Sequence, residues 1–161
     1  MRIVACGLLL ALVAGCATDS TAPSASDAPV AVPGAVAIPA STAPVDPALS
    51  GTWTPVLAEL GGREFKFGQD FRLEVKGDRY VLYGAPQGTD RGRLVFVPGD
   101  PKAFDVYGEE GPARGKRYPV IYRVVGQGTL EACYDLDGKE RPAAFITFEG
   151  TNLFRVIYKR R

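Results

Sequence analysis

Between Phe71 and Lys76 the chain alternates apolar and charged residues without exception, Phe-Arg-Leu-Glu-Val-Lys, then turns at Gly77-Asp78 into a second apolar stretch, Tyr80-Val81-Leu82-Tyr83. A period of two puts every second side chain on the same face, so this segment predicts a strand with one buried and one wet face. The same grammar runs on to the C-terminus. Further strands are predicted at Thr52–Leu60, Gly92–Val97, Ala103–Tyr107, Pro119–Val125, Thr129–Tyr134, Ala144–Phe148 and Leu153–Lys159. Between them lie Gly61-Gly62, Pro98-Gly99-Asp100-Pro101, Gly126-Gln127-Gly128, Asp137-Gly138 and Gly150-Thr151-Asn152, residues that tolerate positive φ or preset a bend. No stretch from Leu49 onward sustains a 3.6-residue apolar period, which leaves room only for single helical turns. The expectation is an all-β domain over residues 48–161, a small antiparallel up-and-down barrel of about eight to nine strands, whose closure removes exposed sheet edges.

All the Trp, Tyr and Phe residues lie in that domain. Residues 17–47 are instead dominated by Ala and Pro and hold no aromatic residue, a composition that cannot bury enough surface to offset its ordering entropy. The expectation for them is a disordered tether.

The N-terminus reads as an address. Met1-Arg2 and the apolar run Ile3–Ala14 form a positive region and a hydrophobic region too short to span a bilayer permanently. The run ends in Val13-Ala14-Gly15-Cys16, which resembles the lipobox of bacterial lipoproteins. That resemblance implies a signal peptide at residues 1–15 and lipidation of Cys16, with residues 16–47 as lipidated cysteine and tether, anchored stably because several acyl chains are attached. Ala17 rather than Asp after the lipidated cysteine implies the bacterial cell envelope with sorting to the outer membrane. The expected partner on this side of the molecule is therefore a membrane, reached through the N-terminal lipid. With Cys6 in the signal and Cys16 lipidated, Cys133 has no intramolecular partner; it reads either as a reactive thiol or, favoured, as a small buried hydrophobe.

Several chemistries are excluded or disfavoured by composition. There is no histidine and no serine after Ser50, so a Ser-His-Asp or Cys-His triad and a histidine zinc site cannot be assembled. The remaining candidates for acid/base work are the carboxylates Asp105, Glu109-Glu110 and Asp135-Asp137, whose spacing predicts no split in pKa; Asp135-Leu136-Asp137-Gly138 reads as a turn rather than a calcium loop. The expectation is a protein that is not an enzyme, with no cofactor, no metal and no catalytic residue. Bases are scattered singly among acids, apart from Lys159-Arg160-Arg161, which gives no reason to expect nucleic acid.

Gly51-Thr52-Trp53 opens the first predicted strand and is similar to the G-x-W motif of lipocalins. A longer likeness covers the whole domain: Gly51-Thr52-Trp53, Gly77-Asp78-Arg79-Tyr80, Pro101-Lys102-Ala103-Phe104-Asp105, Gly115-Lys116, Ile121-Tyr122, Cys133-Tyr134 and Gly138-Lys139-Glu140-Arg141-Pro142 resemble, in order, a family of small bacterial lipocalin-like domains without an assigned function. In lipocalins the tryptophan closes one barrel end and a base of the last strand packs over its ring. The resemblance thus implies structural roles at a barrel end for Gly51, Trp53 and, among the bases Arg155, Lys159 and Arg160, for Arg155. The expected function is binding of a small apolar or amphipathic ligand by a lipid-anchored envelope protein, with Phe71, Tyr80, Phe96 and Tyr122 as candidate ligand or core lining. The alternatives are a protein-interaction module, such as an envelope inhibitor or immunity-type lipoprotein using the loops Gly84–Arg93 and Gly108–Arg117, and a structural envelope protein. Val120-Ile121-Tyr122 and Phe154–Tyr158 are apolar on both faces, which predicts an outer wall covered by the loop Gly108–Arg117 or used as a binding surface.

Overall fold

The computed structural model of the protein describes residues 37–161. The lipobox, Cys16 and residues 1–36 lie outside the described residues. A single 3-10 turn, Pro47–Leu49, leads into nine strands: β1 Gly51–Leu60, β2 Arg63–Glu64, β3 Arg72–Lys76, β4 Arg79–Tyr83, β5 Asp90–Val97, β6 Ala103–Glu110, β7 Arg117–Val125, β8 Thr129–Asp135 and β9 Leu153–Arg160. From β3 to β9 each strand pairs antiparallel with the next, and β1 pairs with both β3 and β9. The result is a closed eight-stranded antiparallel barrel, with β2 as a short extra strand folded back on the end of β1.

The alternation that predicted β3 is realised: Leu73 and Val75 are buried in the barrel, while Arg72 and Glu74 pair on the outside. Inward residues of neighbouring strands meet in register, as in Tyr122, Ala132, Val156 and Ala58 across β7, β8, β9 and β1. They join Trp53, Leu94, Phe96, Phe104, Val120 and Leu130 in one core, each large side chain contributing about 2 kcal/mol by burial. Closure demands close backbone approach at Gly92, where a Cβ would strike the Tyr107 carbonyl and come within 2.8 Å of the Tyr80 ring.

Three expectations are corrected. The predicted strand Ala144–Phe148 does not form; from Leu136 to Asn152 the chain is an irregular strap across the outer wall. Asp135 starts it by accepting the backbone N–H groups of Asp137, Lys139 and Glu140 at 2.8–2.9 Å, so this carboxylate is spent on the turn. Arg141 then reaches back to the carbonyl oxygens of Phe104 (2.9 Å) and Val120 (2.7 Å) and to Asp105 (2.6 Å). Further on, Arg123 stacks on Phe145, and the Thr147 hydroxyl accepts the N–H of Gly62.

This strap, and not the loop Gly108–Arg117, lies over Cys133, whose thiol faces the Ile146 carbonyl at 3.8 Å and whose register partner is the buried, outward Ile121. Their apolar character was legible, but the covering segment was not, because it comes from a distant part of the chain. Finally, the tether does not run to residue 47 as a free coil. Thr42 and Ala43 donate to the Phe96 carbonyl, the Ser41 hydroxyl accepts the Phe96 N–H, and Asp46 bonds Lys102 and the Tyr122 hydroxyl. Short polar side chains and a single aspartate suffice to dock an otherwise featureless segment.

Candidate functional site

The two ends of the barrel differ. At one end Trp53 is fully buried and donates its indole N–H to the Leu49 carbonyl at 2.8 Å. The base over its ring is Arg160, 4.3 Å from the centroid, not Arg155. Arg160 pairs with Trp53 in the β1–β9 register and therefore shares its face, and its guanidinium also donates to the carbonyls of Gln127, Ser50 and Ala48. Gly51 is needed beside it, with φ +144° and a Cβ position that would collide with the Arg160 guanidinium. Arg155 points to the opposite face, where it pairs with Glu131 (2.6 Å) and Glu59 (3.2 Å). Segment 41–49 lies against this end, where Trp53 plugs the barrel and a surface depression of about 310 Å³ remains between Ala43–Asp46, Phe96, Lys102 and Tyr122.

Phe96 and Tyr122, expected as ligand or core lining, belong to the closed half. Phe96 packs edge-on against Phe104 (5.9 Å between centroids), and Phe104 is tilted against Tyr122 at 5.0 Å. Beside Asp46 the Tyr122 hydroxyl is held well above the usual tyrosine range, by burial first and by the neighbouring carboxylate second.

Phe71 and Tyr80 lie at the other end, which is open. There the ends of β1, β4, β6 and β8 and the starts of β3, β5, β7 and β9 surround a cup with two chambers. The deep chamber, about 140 Å³, is lined by Phe71, Tyr80, Tyr118, Tyr134, Phe154 and Tyr158, with Asp90 and Val106 in its wall. The outer chamber, about 240 Å³, shares Phe71, Leu82, Leu136 and Phe154 with the deep one and opens past Phe65, Phe67 and Pro86. Phe65, Phe67, Phe71 and Phe154 stack on one another across the mouth at 4.0–6.0 Å between centroids. Strand β4 brings Tyr80 and Leu82 to the cup because they are inward residues two apart. Tyr134 and Phe154 arrive there as a register pair of β8 and β9.

The floor of the cup is polar at one point. Asp90 is buried and accepts the Tyr80 hydroxyl and the Ala113 N–H, each at 3.0 Å. The loop Gly108–Arg117, one of the segments offered for protein contact, thus folds inward to seat Ala113 on Asp90. Burial first, then the Asp90 charge, holds the Tyr80 hydroxyl well above the ordinary tyrosine range. Burial pushes Tyr134 up to about 12 with Tyr158 opposing, and Tyr158 is raised as well, so all three stay neutral hydrogen-bonding groups at neutral pH. Asp90, Tyr118, Tyr134 and Tyr158 were not singled out from sequence. Tyr134 and Tyr158 could have been found as inward residues of predicted strands, whereas Asp90 stood in what read as a loop.

Of the other candidate carboxylates, Asp105 is clamped by Arg117 and Arg141, and Glu109 and Glu110 pair with Arg79 and Arg91. Cys133 is wholly buried beneath the strap, its thiol pushed up to about 11 by desolvation with Arg155 partly opposing.

On the outer wall a wider groove of about 430 Å³ runs between Thr54–Ala58 and residues 64–71, bordered by the exposed Val56 and Leu57. No family model matches the chain, nor does any curated protein or solved structure.

Proposed function

We propose that this chain is a lipid-anchored protein of the bacterial envelope whose barrel binds a small apolar or amphipathic molecule at its open end. The observation that supports this most is the asymmetry of the interior: one end is plugged by Trp53, Leu49 and Arg160, while the other keeps an aromatic cup with a few polar groups, Asp90 and the tyrosine hydroxyls. Concave apolar surface with a few placed polar groups is the usual form of a small-molecule site. The N-terminal lipobox motif supplies the address and the chain between Cys16 and Ser41 the reach. The carboxylates singled out from sequence, Asp105, Glu109, Glu110, Asp135 and Asp137, are engaged in ion pairs or turns, so this reading assigns them no catalytic role.

The test is displacement of a fluorescent apolar probe such as N-phenyl-1-naphthylamine from the full-length protein, together with native mass spectrometry of protein taken from its own envelope. A carried small molecule and a displaceable probe support the reading. A protein that carries nothing and takes up no probe refutes it.

A protein partner is the second reading, favoured by the outer groove and the exposed Val56, Leu57, Ile146 and Phe148. Copurification of a stoichiometric partner that is lost in a Val56→Asp, Leu57→Asp double variant is the result that would select it.

A further inference from the structure

Four acidic side chains are buried in the described part of the chain: Asp90, Asp105, Glu131 and Asp135. Two are paired with cations and a third is held by three backbone donors. Asp105 lies between Arg117 and Arg141, Glu131 lies between Arg123 and Arg155, and Asp135 collects three backbone N–H groups. Asp90 has only two neutral donors, the Tyr80 hydroxyl and the Ala113 N–H, and no Lys or Arg among the described residues forms an ion pair with it. It lines the deep chamber of the cup. Lys66, the only base among the described residues that line either chamber, sits at the exposed mouth of the outer one.

We propose that the deep chamber of the cup selects an organic cation, a substituted ammonium group that enters between the tyrosines and supplies the counter-charge that Asp90 lacks. This rests on the reading of the open end as a ligand site and names the class of ligand. Two physical facts favour a cation there. A buried carboxylate without a cationic partner is costly, and a positive group brought beside it recovers that cost. Aromatic faces attract cations through their quadrupole, most strongly when water is excluded, and six rings line this chamber. A strongly hydrated primary ammonium gains less than one whose substituents are apolar, because the rings replace no hydrogen bonds. An anionic ligand is opposed by Asp90, and the volume of about 140 Å³ suits a trimethylammonium head rather than a sugar or nucleotide.

The experiment compares two molecules of one shape on the full-length protein. Benzyltrimethylammonium and neopentylbenzene differ only in carrying nitrogen or carbon at the quaternary centre, and each is titrated against the apolar probe. The expected result is binding of the cation roughly tenfold or more tighter than its neutral isostere. Asp90→Asn should remove most of that preference while the isostere still binds. The wild-type comparison stands even if Asp90→Asn fails to fold, and Tyr80→Phe, which withdraws one donor from Asp90 and leaves the charge, should retain the preference.

Equal binding of the two molecules, or tighter binding of the isostere, overturns the proposal and leaves the cup as an apolar site. Binding of neither overturns the ligand-site reading itself. Competition by choline alone, or by a water-soluble short-chain phosphatidylcholine as well, separates a free cation from a lipid headgroup as the source, and either result supports a cation site.

Discussion

Arg160 lies over the Trp53 ring at 4.3 Å while its guanidinium holds the carbonyls of Ala48, Ser50 and Gln127. One side chain thereby joins the entry turn, the β7–β8 turn and the last strand at the closed end of the barrel. Arg160→Ala is expected to destabilise the fold by about 1–2 kcal/mol, the sum of a cation–π contact and several solvent-exposed hydrogen bonds. Arg160→Lys should restore only part of this, because an ammonium cannot present the planar fork that reaches three carbonyls. Chemical denaturation of the three proteins checks the order, and a lysine variant as stable as wild type would contradict it.

Leu136 stands at the mouth of the cup and lines both chambers. Leu136→Trp should fill the entrance and weaken apolar probe binding roughly tenfold, with the thermal midpoint changed by only a few degrees because the position is partly exposed. Probe titration and thermal melting on the same sample separate blocking from unfolding.

Arg141 ties the outer strap to β6 and β7 through two carbonyls and Asp105. Arg141→Ala leaves Asp105 with one of its two cations and should cost about 2–4 kcal/mol. It should also open a path to Cys133, which in the intact protein resists alkylation because it is buried and its thiol is pushed up to about 11. Iodoacetamide labelling mapped to the Cys133 peptide is expected to be slow in wild type and clearly faster in the variant.

Asp46 fastens residues 41–49 to the closed end. Burial works to raise its pKa, but the ion-paired hydrogen bond from Lys102, the Ala48 N–H and the Tyr122 hydroxyl outweigh it, leaving the carboxyl below its ordinary value of 3.8. A depressed pKa in the folded state means that the stabilisation is present above the unfolded value and is lost as pH falls through the folded one. The amide signals of Thr42 and Ala43, which donate to the Phe96 carbonyl, should therefore hold their docked positions down to about pH 4 and shift below it. Asp46→Asn should remove that acid-dependent step. Amide spectra recorded from pH 6 to pH 2 decide this.

How much was legible follows from which physical signal each feature left in the chain. Strict alternation in Phe71–Lys76 and glycine-marked turns at short intervals determine strands, their approximate bounds and an all-β meander, because side-chain direction has a period of two wherever one face is wet. Gly51 and Trp53 could likewise be placed at a barrel end. The partner of Trp53 could not. Strand β9 is apolar on both faces between Phe154 and Tyr158, so its parity is silent, and only the register Trp53 to Arg160 across β1 and β9 selects Arg160 over Arg155. Tertiary contact also decided that Ala144–Phe148 is a strap rather than a strand, since Arg141 and Phe145 are engaged by β6 and β7 and Thr147 by the β1–β2 turn instead of by a ladder. The cup was beyond local reading for the same reason. Its rings come from four different strands and one loop, and whether such rings fill a core or line a cavity depends on how the barrel closes around them.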